Sequence, residues 1–395
     1  MTLKLSDFAP ELLYCVFCFC SQRDLASLSR VNYTFRNAAE YLLYRDIHIS
    51  FNLFPVFSPR FQEKRSLFRT LTSNPQAALL RYLHVQLESD GSKDAELCNS
   101  PILQQIVDAL RNTHGLEDLR IIVRRPEYTD QPSDPSNGML SEVIKGGYFQ
   151  LHTLYCNSYQ DLEGIIVSQK RLRLLGIYTS HHHFGYLNFS KLIKNSQIDS
   201  FPGIFMLTRS RSSYYNVNRL TLFPEFCLPG QTFTLCRDIA TYLNRNLGRY
   251  PVHHGLTIHV FDFSSAKTAI ICELVEAMAQ YFVNCEVFTV WMQTSVGKKT
   301  VSKPWRIPGL STSISRFKQL QRLNFYVPND KRAVSDLKSL LYQEFDHAIG
   351  LRLVRVCLGG YPMITQLERD SFGWKIENHK DRWNPKIGSY DDPLA

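Results

Sequence analysis

The chain has 395 residues, 44% of them apolar and 21% charged, with a formal net charge of +9. That composition is globular and excludes a disordered or low-complexity chain. The longest apolar run, Leu12 to Cys20, is far below the ~20 residues that a membrane-spanning helix needs, and no long Lys/Arg block suggests nucleic acid as a partner.

The first predicted helix begins at Pro10, which suits a first turn because its missing N–H would have no partner there, with Asp7 upstream as a cap. The run Leu12-Leu13-Tyr14-Cys15-Val16-Phe17-Cys18-Phe19-Cys20 has no polar face. Leu12, Val16, Phe19 and Cys20 share one side of that helix, and Leu13 and Phe17 project elsewhere. Two more short helices follow, over Gln22 to Ser29 and from an Asn32 cap to about Tyr44. Three helices of this size cannot enclose a helix that is apolar all round. Another surface must finish the job: either the downstream part of the chain or a second polypeptide.

The residues themselves favour the second. Phe8, Ala9, Pro10, Glu11, Leu12 and Leu13, then Asp24, Leu25, Val31, Phe35, Arg36, Ala38 and Ala39, follow the pattern of an F-box, and the segment resembles that family. Ala9 stands where the family usually has Pro, and Phe35 where it usually has Trp. The resemblance implies a docking peg for a Skp-type adaptor and, through it, a cullin. It assigns the adaptor contact to Phe8, Pro10, Leu12, Leu13, Val16, Phe17, Leu25, Leu28 and Val31.

Beyond residue 45 a short strand pattern, apolar-x-x-apolar-x-apolar, returns repeatedly. It opens with a partial copy, Ile47-x-Ile49, and continues through Leu80-x-x-Leu83-x-Val85, Leu116-x-x-Leu119-x-Ile121, Leu151-x-x-Leu154-x-Cys156 and Leu172-x-x-Leu175-x-Ile177. Val217-x-x-Leu220-x-Leu222, Ile258-x-Val260, Cys285-x-x-Phe288-x-Val290, Leu320-x-x-Leu323-x-Phe325 and Leu351-x-x-Val354-x-Val356 complete the series. Spacing is commonly about 30 to 38 residues, a range that signals stacked supersecondary units. One step, Leu175 to Leu220, is long. Between the strands run amphipathic stretches centred on Leu67, Phe68 and Leu71; on Ile102, Ile106, Val107 and Leu110; and on Leu162, Ile165 and Ile166. Others centre on Ile239 and Leu243, on Ile271 to Phe282, and on Val334 to Phe345.

Strand–helix–strand units of this length predict an α/β chain with parallel strands. The pattern resembles a degenerate leucine-rich repeat, which implies a solenoid, or horseshoe. F-box plus irregular repeats is the arrangement of fungal F-box domain-containing proteins. The expected organisation is an F-box over 1–45, a repeat domain over 46–360, and a capping segment or tail over 361–395 that carries Trp374 and Trp383.

In such a solenoid alternate strand residues face outward. The predicted outer column reads Gln86, Ile122, Asn157, Tyr178, Phe223, Phe261, Trp291, Tyr326 and Cys357, flanked by Arg120, Arg219, Arg322 and Arg355. The aromatic stretch from Tyr178 to Tyr326 would form a stripe roughly 20 Å long. With Arg322 and Arg355 it is the expected grip on a protein substrate, since aromatics and Arg anchor interfaces. The competing expectation is that the chain's own loops cover it.

No catalytic constellation is legible. Cys15, Cys18 and Cys20 lack a second ligand pair, His181, His182 and His183 are too close in sequence to converge on one ion, and His253-His254 adds nothing. Gly297-Lys298-Lys299-Thr300 fails as a phosphate loop because Met292 holds the upstream glycine position. Neither cofactor nor metal is expected. The reading is a non-catalytic substrate-recognition subunit of a Skp-cullin-F-box ubiquitin ligase; the alternative is an adaptor-binding scaffold outside any cullin complex. Scattered cysteines within apolar runs, and a start that leaves no room for a signal peptide, predict an intracellular, cytoplasmic and/or nuclear protein with no membrane partner.

Overall fold

The computed structural model describes residues 8–52, 66–72, 75–88, 101–124, 135–157, 161–179, 203–212, 215–227, 229–247, 255–260, 268–292, 307–327, 351–358, 363–370 and 373–380. The chain divides into two compact units, Met1–Leu175 and Gly176–Ala395. The architecture is mixed α/β with mostly parallel strands. The three N-terminal helices fall within the first unit.

The first unit opens with α1 (Pro10–Phe17), α2 (Gln22–Leu28) and α3 (Tyr33–Arg45). Pro10 occupies the first turn as expected, but the cap position is Ala9, which offers no side-chain acceptor. The other two helices are capped by their sequences. Ser21 and Asp24 form a reciprocal capping box on α2, and Asn32 Oδ1 accepts from the Phe35 N–H at 2.8 Å on α3. Leu13 and Phe17 from α1, Leu25 from α2, and Phe35, Ala38 and Ala39 from α3 make one buried cluster. The Phe17 and Phe35 rings meet edge to face, 5.3 Å apart.

The strands β1 (Asp46–Asn52), β2 (Tyr82–Glu88), β3 (Asp118–Arg124) and β4 (Thr153–Asn157) then pair in parallel and in order. Their register stacks Ile47, Leu83, Leu119 and Leu154 in one row and Ile49, Val85, Ile121 and Cys156 in the next. These are the apolar positions of the repeat pattern, and all are buried. The crossovers contain α4 (residues 66–72), α5 (Pro101–Arg111) and α6 (Pro135–Lys145), with α7 (Leu162–Ser168) preceding β5 (Leu174–Thr179). Their inward residues, among them Phe68, Leu71, Ile102, Ile106, Leu110 and Ile165, are buried. α6 had no counterpart among the predicted helices.

A backbone device pins each strand to its predecessor. The N–H groups of Glu117 and Asp118 both donate to the Arg81 carbonyl, and those of His152 and Thr153 to the Glu117 carbonyl. Arg173 and Leu174 repeat the arrangement on the His152 carbonyl. Side chains brace the loops behind. Gln169 is buried and accepts from the Leu151 N–H at 2.7 Å while its amide donates to the Ile144 carbonyl. Gln150 returns the favour, accepting from the Lys170 N–H at 2.9 Å. Gln169→Leu leaves buried backbone groups without partners, so a stability loss of about 1–3 kcal/mol is expected in urea denaturation.

Asp161 caps α7, accepting from the Gly164 N–H at 3.1 Å and from Lys145 Nζ at 3.0 Å. Burial alone raises its pKa, but the Gly164 and Lys145 bonds outweigh that and hold it below the ordinary value. A lowered folded pKa means stabilisation that is complete above the unfolded carboxylate pKa of about 4 and is lost as pH falls through the folded value. Melting temperature is therefore expected to fall more steeply below about pH 4 in the wild type than in Asp161→Asn.

The second unit begins with an antiparallel pair, β6 (Gly203–Ser212) and β7 (Tyr215–Leu222). β6 fills the long step in the repeat spacing. From β7 the order is parallel through β8 (Gly255–Val260), β9 (Val287–Met292), β10 (Arg322–Val327) and β11 (Leu353–Leu358). α8 (Thr232–Leu247), α9 (Thr268–Tyr281) and α10 (Leu310–Ile314) lie in the crossovers and pack in sequence order. The α10 entry turns at Gly309, whose φ of 82° suits a residue without Cβ. Glu273 of α9 accepts from the Gly230 N–H at the approach to α8 and from the Thr232 hydroxyl in its first turn, tying the two helices together.

The tail does not add another parallel repeat. β12 (Met363–Asp370) runs antiparallel to β11, and β13 (Gly373–Lys380) runs antiparallel to β12. Trp374 lies within β13; Trp383 and the helix predicted over 334–345 fall outside the described residues. Among the described residues no helix is long and apolar enough to cross a membrane.

Candidate partner-binding surfaces

Helix α1 is amphipathic in an unusual sense: both of its sides are apolar, but only one is covered. Leu13 and Phe17 face the interior of the three-helix cluster. Leu12 and Val16, one turn apart on α1, remain 53% and 49% exposed, and Phe19 in the turn after the helix is 89% exposed. Phe8, Val31 and Tyr33 are exposed as well. Cys20, expected on the same side as Leu12, instead packs partly against the cluster, as does Leu28.

The expected adaptor contact thus separates into two groups. Phe8, Pro10, Leu12, Val16 and Val31 lie at the surface. Leu13, Phe17 and Leu25 are core residues of the unit and cannot reach a partner without unfolding it. Phe19, which the resemblance did not assign, is the most exposed of the large apolar side chains recorded at the surface. Its apolar character and its offset from Val16 were legible in the sequence.

In the second unit the expected aromatic stripe is not continuous. Phe223 leaves the strand at the short turn Pro224–Phe226, is fully buried, and packs edge to face on Phe226 at 6.1 Å. Tyr178 is also buried. At β8 the pairing aligns Leu256 with Leu220 and Phe288, so that His259, not Phe261, stands opposite Trp291. The repeat copy there is Leu256-x-Ile258, two residues earlier than predicted; Phe261 lies outside the described residues. Trp291 and Tyr326 are register neighbours on β9 and β10, and Trp291 is half-buried. The side chains of Tyr326, Arg219 and Arg355 lie outside the described residues.

The row beside this one, of which the sequence reading named only Arg120 and Arg355, is polar in the second unit. Thr221, Thr257, Thr289, Asn324 and Arg355 occupy successive register positions, and the Asn324 amide donates to the Thr289 hydroxyl at 3.3 Å. Each follows the central apolar residue of its strand, the position at which Arg355 was already expected to flank the stripe. Arg322 is half-buried at the start of β10. In the first unit the corresponding row is His48, His84, Arg120 and Tyr155, with the Arg120 guanidinium 4.9 Å from the Tyr155 ring centroid.

Burial pushes the Cys156 and Cys285 thiols up to about 12 and raises Cys236 further, away from the thiolate a nucleophile requires. Among the described residues no group of three or more His, Cys, Asp or Glu converges as a metal site.

No protein-family model matches the chain, and no curated protein matches it. A solved structure of phosphomethylpyrimidine kinase (thiD) from Clostridium difficile 630 superposes with a TM-score of 0.24 and 15% identity, over 53% of this chain and 84% of that one. A superposition that loose establishes neither a shared fold nor a shared activity.

Proposed function

We propose that this chain is a substrate-recognition subunit of a Skp-cullin-F-box ubiquitin ligase, with the three N-terminal helices as an F-box and the repeats as a leucine-rich-repeat-like horseshoe. The observation that carries the reading is the uncovered pair Leu12 and Val16 on α1, with Phe19 in the turn that follows, on a helix whose Leu13 and Phe17 are already buried. Burying a large apolar side chain contributes about 1.5–3 kcal/mol from full exposure, and less at Leu12 and Val16, which are already half covered. The stripe with Val31 is enough to anchor a partner. The F-box sequence pattern names that partner as a Skp-type adaptor.

The repeat region then holds a target protein, with Trp291, Tyr326 and Arg322 as the remaining candidates of the predicted grip. The chain contributes proximity, raising the target's local concentration at the ligase; transfer of ubiquitin belongs to another enzyme. Co-purification of untagged chain with recombinant adaptor and cullin tests the assignment. A ternary complex supports it. Adaptor without cullin makes the chain a scaffold, and failure to bind adaptor removes the proposal altogether.

A further inference from the structure

We propose that Cys15 and Cys18 form an oxidisable dithiol at the end of α1, and that closing it to a disulfide weakens capture of the adaptor. The second half rests on the adaptor reading above; the first does not. Both thiols are free and exposed. Among the described cysteines they alone are: Cys156, Cys227, Cys236 and Cys285 are buried, Cys272 is half-buried, and Cys20 packs partly against the helical cluster.

The spacing brings the two sulfurs within reach of each other. With a rise of about 1.5 Å per residue and a radius of about 2.3 Å, residues three apart on a helix have Cα atoms about 5 Å apart. A disulfide spans Cα separations of roughly 4.4–6.8 Å. The Cys18 thiol already turns back along the helix, donating to the Cys15 carbonyl oxygen at 3.0 Å. The backbone also tightens here. The N–H groups of Phe19 and Cys20 bond the Val16 and Phe17 carbonyls, three residues back instead of four, and in such a turn side chains three apart eclipse. No packed core resists the adjustment, because Cys15, Val16, Cys18 and Phe19 are all exposed.

The chemistry is a two-electron oxidation by a peroxide. The Cys15 thiol gives up its proton and the sulfur attacks one peroxide oxygen. The O–O bond breaks, sulfenic acid forms, and the departing hydroxide takes a proton to become water. The Cys18 sulfur then attacks the sulfenyl sulfur. An S–S bond forms, the S–OH bond breaks, and the Cys18 proton leaves with hydroxide as a second water. Each sulfur gives up one electron, and a dithiol reductant reverses the step by exchange. In a reducing compartment such a bridge is transient, as in redox-sensing proteins.

Cys15 is next to Val16 and one turn from Leu12, so it belongs to the uncovered side of α1. Reduced, it packs against a partner as a small apolar group. The bridge draws the Cys18 side chain away from the Cys15 carbonyl, and Phe19, the next residue, shifts with the turn that holds it. The apolar surface offered to the adaptor changes shape without any change in the buried cluster.

The test treats the untagged full chain with dithiothreitol or hydrogen peroxide, maps its thiols by mass spectrometry, and titrates it with recombinant Skp-type adaptor. After peroxide, the peptide holding both cysteines should be lighter by two hydrogens. Adaptor affinity should fall about 10-fold or more, as for the loss of one interface anchor, and return with dithiothreitol. Cys18→Ala should form no bridge, bind like the reduced wild type, and keep its affinity under the same peroxide dose. Peroxide that leaves both thiols free overturns the proposal, as does a bridge that leaves affinity unchanged. An equal loss of affinity in Cys18→Ala places the effect on another thiol and overturns it too. If the reduced chain captures no adaptor, the adaptor reading falls and the regulatory half with it, while the mapped bridge still decides the first half.

Discussion

Leu12→Asp combined with Val16→Asp is expected to abolish adaptor capture while leaving the melting temperature within a few degrees of the wild type. Both side chains already meet solvent, so a carboxylate there needs no desolvation in the free chain. In the complex it would be buried unpaired, and truncation of anchors at such positions typically costs 2 kcal/mol or more each, about 30-fold in affinity per site. Phe17→Ala, at the residue next to Val16, is the matching control with the opposite signature. Its ring is fully buried against Phe35, and its removal should destabilise the helical cluster by about 3–5 kcal/mol. Pull-down and thermal melting of both variants separate interface from core. Retained adaptor binding in the Asp pair would rule out the stripe as the docking surface.

The second large effect concerns the predicted substrate stripe, whose members have different fates. Phe223→Ala is expected to cost about 3–5 kcal/mol of stability, because the ring is fully enclosed and rests on Phe226. Its urea midpoint should drop, and any loss of target binding should follow from unfolding. Trp291→Ala with Tyr326→Ala should behave in reverse: unfolding little changed, target capture lost. Affinity purification of the double variant under proteasome inhibition gives the readout. Full recovery of the wild-type targets would move the recognition surface elsewhere, with the Thr221–Arg355 row as the next place to look.

The inner apolar rows could be read from sequence because side chains alternate with period 2 and each copy is separated by a crossover. Ile47, Leu83, Leu119 and Leu154 were aligned by pattern alone, and the strand pairing keeps that alignment. β8 defeated the same logic. Leu256, Ile258 and Val260 all alternate correctly, so either pair fits the template, and only hydrogen bonding to β7 selects the first. β6 gave no signal because Ile204, Phe205, Met206 and Leu207 are buried consecutively, with no alternation to detect. Helix α6 begins Pro135-Ser136-Asn137-Gly138, residues that read as a turn. At the N-terminus three short helices were expected and are present, but apolarity alone could not say which side of α1 points inward. Phe35, Ala38 and Ala39 decide that by receiving Leu13 and Phe17.

The reversed strands at the end of the chain bear on its fate in solution. β11 would otherwise present a bare row of amide and carbonyl groups, the template on which misassembly starts. β12 occupies that row, and β13 beyond it carries Lys375, Glu377 and Lys380, charges that discourage a further strand from adding. A chain cut after Leu358 would lose this guard and is expected to polymerise or precipitate even with every upstream repeat intact.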